Sequence, residues 1–167
     1  QIIIALGVTL EGHKIPLGFV QAATENERTC RGFLANLVDR GLQYEAGLLV
    51  VIDGARGLYN AVMSVFTGHA CVQRCQFHKR KNVESYLPKG EQIRVRRQLE
   101  AAYGKPTYKT AKAALKALQP SLELMNQSAF NSLEEGLEET LTLHRLGLTP
   151  ELKKFLRTTN CIENVNS

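Results

Sequence analysis

A chain of 167 residues with 44% hydrophobic and 22% charged residues has the size and balance of one globular domain, with no low-complexity tract. No run approaches the roughly 20 apolar residues of a membrane-spanning helix, and Gln1-Ile2-Ile3-Ile4 lacks the basic start of a signal peptide. The net charge is +5, and the four cysteines (Cys30, Cys71, Cys75 and Cys161) follow no disulfide-scaffold pattern, so reduced thiols and a cytoplasmic location are expected.

The chain opens without an initiator methionine and inside an apolar run, so it is expected to be a fragment. Ile2 to Thr9 is an apolar run of strand length, Glu11-Gly12 is a turn pair, and Lys14 to Ala22 is a second strand, which together predict a hairpin. A helix capped by Thr24 is predicted through Gln43, with Phe33, Leu34, Leu37 and Val38 at helical spacing. Leu48-Leu49-Val50-Val51-Ile52 is short, continuous and rich in branched residues, the pattern of a strand buried on both faces. A helix over Leu58–Phe66 and a strand over Ala70–Gln76 follow.

After His78 the pattern turns helical as far as about Leu146, with one apolar stripe on Ala111, Ala114, Leu115 and Leu118 and another on Phe130, Leu133, Leu137 and Leu141. Pro106 and Pro120 are expected to punctuate these helices. Thr159 to Glu163 reads as the opening of one more helix. The division is therefore an α/β part over residues 1–78, a helical block over 79–150, and a return over 151–167. Residues 71–116 carry twelve Lys and Arg against Glu84, Glu91 and Glu100, whereas 117–151 carry six Glu against Arg145 alone. A basic block of this kind suits a polyanion such as DNA, or is simply a solvated helix surface.

Asp53 directly follows the apolar strand. Ligands of open α/β sheets gather at the carboxyl ends of strands, so the position suits a metal-binding carboxylate, and Asp-Gly equally suits a turn. Glu163 stands three residues after Asn160, where a capping-box glutamate would sit. Cys75 and His78, with Cys71 and the distant Cys161, invite a zinc reading, but only one close pair is present where structural sites use two. The sequence has no phosphate-binding loop, no nucleophile elbow and no dinucleotide fingerprint.

Taken in order, Ala5-Leu6-Gly7-Val8, Leu17-Gly18-Phe19, Val51-Ile52-Asp53-Gly54, Val72-Gln73-Arg74-Cys75-Gln76-Phe77-His78-Lys79, Asn82-Val83, Tyr86-Leu87-Pro88 and Leu156-Arg157-Thr158-Thr159-Asn160-Cys161-Ile162-Glu163 resemble the transposases of Mutator-type bacterial insertion sequences. The resemblance implies an α/β fold of the RNase H-like type, with an all-helical insertion before the final catalytic helix and with its N-terminal strand missing from this chain. It implies an Asp-Asp-Glu set holding Mg²⁺ or Mn²⁺, in which Asp53 matches the second aspartate and Glu163 the glutamate, while the first aspartate lies upstream of residue 1. Cys75 and His78 match a Cys-x-x-His motif. Arg74, Lys79, Arg80, Lys81, Arg157 and Asn160 are expected to contact DNA.

The implied activity is metal-dependent cleavage and strand transfer at transposon ends, by a homo-oligomer on DNA, with little activity for this fragment alone. The alternatives are an inactive remnant that only binds DNA, or another RNase H-like nuclease. Two departures from the pattern stand out. Cys161 replaces the usual proline, and no tryptophan is present to stack on bases, a role for which Tyr103 or Tyr108 is a substitute.

Overall fold

The computed structural model describes residues 2–9, 13–21, 26–148 and 156. Thr24, Arg157, Asn160, Cys161 and Glu163, and the expected Glu11-Gly12 turn, lie outside the described residues. Strands β1 (Ile2–Val8) and β2 (Lys14–Gln21) pair antiparallel from Ile2↔Gln21 to Val8↔Lys14. The register slips between Ala5 and Leu6, leaving Leu17 as an extra residue. Its carbonyl accepts from Arg40 Nη1 at 2.8 Å, so the bulge leaves that acceptor satisfied. The hairpin expectation is met on both strands.

Helix α1 (Glu27–Asp39) starts later than a Thr24 cap predicts. Asn26 adopts an extended backbone and its Oδ1 accepts from the Thr29 amide at 2.9 Å, making it the cap. Cys30, Phe33, Leu34 and Leu37 recur on one face and are buried. The helix ends short of Gln43 because the Gly41 amide bonds the Val38 carbonyl and the Leu42 amide bonds the Leu37 carbonyl, closing a Schellman turn.

Strand β3 (Leu48–Ile52) pairs in parallel with β4 (Ala70–Arg74), and helix α2 (Arg56–Val65) forms the crossover between them. Strand β3 is less covered than expected, with Ile52 buried and the other four residues half-buried. The described strands form two separate two-stranded sheets, β1–β2 and β3–β4, so β3 pairs on one edge only. Both sheets pack into one core with α1 and α2, in which Cys30, Phe33, Ile52, Val62 and Phe66 are buried.

Strand β4 stops at Arg74, two residues before its expected end. The Cys75 amide makes a last bond to the Ile52 carbonyl at 2.7 Å, and helix α3 (Gln76–Ser85) begins at once. The helices α4 (Lys89–Tyr103), α5 (Tyr108–Met125), α6 (Gln127–Glu134), α7 (Leu137–Thr140) and α8 (Thr142–Arg145) follow. They build a second core around Val83, Leu99, Leu115, Leu122, Leu133 and Leu141. Pro106 falls between α4 and α5 as expected, whereas Pro120 lies inside α5. A helix can run through one missing amide when packing holds both sides, and here buried Leu115 and Leu122 bracket the proline.

The two cores meet along β4. Thr142 Oγ1 donates to the Val72 carbonyl at 2.6 Å, and Gln73 Nε2 donates to the Thr140 carbonyl at 2.9 Å. Gln73 Oε1 accepts from the Leu143 amide at 2.9 Å, and Gln76 Nε2 donates to the Thr140 carbonyl at 2.9 Å. Side-chain amides here satisfy backbone groups that the short helices leave unpaired.

Candidate functional site

The parallel pairing Ile52↔Arg74 brings the carboxyl ends of β3 and β4 side by side. Asp53 leaves β3 there with its side chain exposed. One carboxylate oxygen, Oδ1, accepts from the Ala55 amide at 3.0 Å, and Gly54 turns the chain at φ 112°. Asp53 is thus a turn-forming aspartate whose exposed carboxylate stands at a strand end.

Beside this turn, Cys75 occupies the position before the first turn of α3 without a side-chain capping bond and is fully buried. Its Sγ lies 3.2 Å from His78 Nδ1, and the His78 ring meets Phe77 edge-on with centroids 5.7 Å apart. Cys71 lies on β4, exposed. Among the described residues no group of three or more His, Cys, Asp or Glu could hold a metal ion, and Cys75 and His78 form a hydrogen-bonded pair. An ion at Asp53 needs donors in addition to that one carboxylate.

Two of the residues expected to contact DNA, Arg74 and Lys79, are buried. Arg74 is 8% exposed and donates to the carbonyls of Gly54 and Glu135, the latter at 3.0 Å. Lys79 is 4% exposed and donates to the carbonyls of Ser132, at 2.6 Å, and Glu135. Burial lowers the Lys79 ammonium to about 8, with the nearby Arg74 charge adding to the effect and Glu135 and Glu139 opposing it. Both cations face protein carbonyls and not solvent.

Arg80 is half-buried and ion-paired with Glu100, whereas Lys81 is exposed, its ammonium 4.7 Å from the Phe77 ring centroid. Much of the basic block is likewise committed internally. Arg94 pairs with Glu91, Arg96 with Glu84, and Lys112 with Glu138. Lys81, Lys89, Arg97, Lys105, Lys109 and Lys116 remain exposed to solvent.

The substitute for a stacking tryptophan also needs correction at one position. Tyr103 is 8% exposed, donates to Thr140 Oγ1 at 3.2 Å, and is pushed up to about 12 by burial, so its ring belongs to the core. Tyr108 is half-buried and donates to Glu138 Oε2 at 2.7 Å. Glu163, Arg157 and Asn160 lie outside the described residues. Sequence reasoning missed Glu135 and Gly136 beside the Asp53 turn. The available signal was a glycine interrupting an acidic helical run.

An α/β core that presents an acidic strand end beside a Cys-x-x-His helix start, followed by a helical block, is the arrangement reached from these residues. The family described as "Transposase, Mutator family" matches residues 1–167, and the chain belongs to that family. It is similar to the transposase for insertion sequence element ISRM5 of Rhizobium meliloti (strain 1021), 30% identical over 165 residues, which cover 99% of this chain and 40% of that protein. It is also similar to the transposase for IS256 in transposon Tn4001 of Staphylococcus aureus, 30% identical over 169 residues, 98% of this chain and 41% of that protein. The transposase for IS905 of Lactococcus lactis subsp. lactis (strain IL1403) is 28% identical over 163 residues, 98% of this chain and 40% of that protein. The chain spans about two fifths of the length of these curated relatives. No helix among the described residues is long and apolar enough to cross a membrane.

Proposed function

We propose that this chain forms part of the catalytic core of a DNA transposase, acting by metal-dependent phosphoryl transfer on DNA. The observation that carries the reading is Asp53, an exposed carboxylate at the carboxyl end of a parallel strand in a chain matched along its whole length by a transposase family. An RNase H-like core agrees with two short sheets that share one apolar core.

The donor chemistry at Asp53 fits Mg²⁺ or Mn²⁺ in part. These are hard cations that take oxygen ligands, and Mg²⁺ is commonly held by one or two carboxylates together with substrate phosphates. Asp53 and Glu163 would hold the ion, leaving the Cys75–His78 pair outside the ligand set. When bound, the ion would stabilise charge developing on the scissile phosphate and promote ionisation of an attacking water. Asp53 is kept at its station by the Ala55 amide, while Lys81, Arg80 and Arg157 would place phosphates and Asn160 would contact DNA beside Glu163. Lys89 and Arg97 on α4 and Lys109 and Lys116 on α5 are further exposed cations that would add to phosphate binding. Action as a homo-oligomer on paired DNA ends belongs to the same proposal.

The test is Mg²⁺- or Mn²⁺-dependent cleavage of a transposon-end duplex by the full-length protein and by its Asp53→Asn and Glu163→Gln variants. Both substitutions are expected to abolish cleavage and to leave duplex affinity largely unchanged. Near-normal cleavage by either variant would overturn the assignment of that residue. Binding without cleavage by the parent protein as well would favour a remnant that only binds DNA.

A further inference from the structure

Two turns far apart in sequence meet on one buried side chain. Gly54 directly follows Asp53, and Glu135–Gly136 forms the bend between α6 and α7. Arg74 Nη2 donates to the Gly54 carbonyl, and Nη1 donates to the Glu135 carbonyl at 3.0 Å. The Glu135 carboxylate stands 3.5 Å from Nη2 and is mostly exposed, so the backbone carbonyls are the principal acceptors.

Both glycines are shaped around this guanidinium. Gly54 has φ 112° and Gly136 has φ 65°, conformations that side-chain-bearing residues rarely adopt. A Cβ on Gly54 would fall 2.8 Å from Arg74 Nε and Nη2, and a Cβ on Gly136 would fall on Nη1, Cδ and Cζ. The arginine occupies the space that two absent Cβ atoms leave, while Lys79 secures the same bend through the Ser132 and Glu135 carbonyls. A planar guanidinium donates in two fixed directions at once, which a lysine ammonium does less well.

We propose that Arg74 is a positioning residue that fixes the Asp53–Gly54 turn against the Glu135–Gly136 bend, so that the Asp53 carboxylate holds its place only while the helical block is docked. The consequence for metal binding rests on the reading of Asp53 as a metal ligand. The coupling of the two turns does not depend on that reading.

Hydrogen–deuterium exchange on the full-length protein tests the coupling. The variants are Arg74→Met, Arg74→Lys and, as a control, Arg96→Met, which removes the pair with Glu84. Arg74→Met should speed exchange about tenfold over both 53–56 and 134–138. Arg74→Lys should show a smaller rise in both segments, and Arg96→Met no rise over 53–56. The same Arg74 variants are then assayed for duplex cleavage as Mn²⁺ is titrated. Half-maximal Mn²⁺ should rise about tenfold for Arg74→Met and less for Arg74→Lys, with duplex affinity unchanged, as is usual when a partner supporting a ligand is lost.

Faster exchange confined to 134–138 would overturn the proposal, because Arg74 would then serve the helical block alone. An unchanged Mn²⁺ requirement, with cleavage abolished by Asp53→Asn, would overturn the claim that Arg74 positions the Asp53 carboxylate for metal. If Arg74→Met does not fold, Arg74→Lys carries both measurements. Normal cleavage by Asp53→Asn would instead remove the metal reading, and the exchange result would still decide whether the two turns are coupled.

Discussion

Replacing Gly136 by alanine isolates the junction energetically, because the molecule supplies its own control. Gly136 and Gly147 both have φ 65°. A Cβ at Gly147 meets no atom within 4 Å, whereas one at Gly136 collides with the Arg74 guanidinium. Holding alanine in the left-handed region costs about 1 kcal/mol, and Gly147→Ala should show that cost alone. Gly136→Ala should carry the same cost and also displace Arg74 from two backbone carbonyls. Hydrogen bonds to charged groups contribute about 1.5–3 kcal/mol each. Some of this returns through water if the side chain swings outward, so about 3–5 kcal/mol in total is expected. Urea unfolding followed by far-UV circular dichroism would measure both variants. Adding Arg74→Ala removes the obstacle, so in that background Gly136→Ala should fall back to about 1 kcal/mol, a coupling of about 2 kcal/mol or more. Equal costs for Gly136→Ala and Gly147→Ala, or a coupling near zero, would refute the packing of Arg74 between the two turns.

Other expectations follow from the same geometry. Lys79 has its ammonium lowered from 10.5 to about 8, so the unfolded chain binds more protons than the folded one between about pH 8 and 10.5. Its contribution should therefore raise stability with pH across that window, by at most about 3 kcal/mol. Lys79→Met should abolish this rise, and parallel slopes for parent and variant would contradict it. Leu115 is fully buried and Leu124 is 89% exposed on the same helix, so Leu115→Ala should cost about 2–5 kcal/mol and Leu124→Ala under about 0.5 kcal/mol. Similar midpoints for the two in urea would place α5 in a different orientation. Tyr103→Phe removes only the donor to Thr140, whose hydroxyl still donates to the Leu137 carbonyl at 2.6 Å. A loss of about 1 kcal/mol is expected, and a loss as large as that of Leu115→Ala would mean the hydroxyl holds more than this bond.

The order of elements was written in local pattern. Apolar runs of strand length marked β1 and β3, and helical stripes marked α1 and the block after α3, because each element must bury one face whatever lies opposite. Asp53 was also legible, since a carboxylate directly after an apolar strand is placed by strand polarity alone. Boundaries were less so. The start of α1 depended on the Asn26 cap, and the end of β4 on a last bond from Cys75 to Ile52.

What the basic residues do was decided only by tertiary structure. Arg74, Lys79, Arg80 and Lys81 share one short stretch and one charge. Packing against α6 and α7 buries the first two, pairs the third with Glu100 and leaves the fourth in solvent. The carbonyls that capture Arg74 belong to Gly54 and Glu135, and two glycines on separate turns make the space for it. Charge is a property of the residue, whereas the partner of that charge is set by whichever backbone acceptors the fold leaves unpaired and close by.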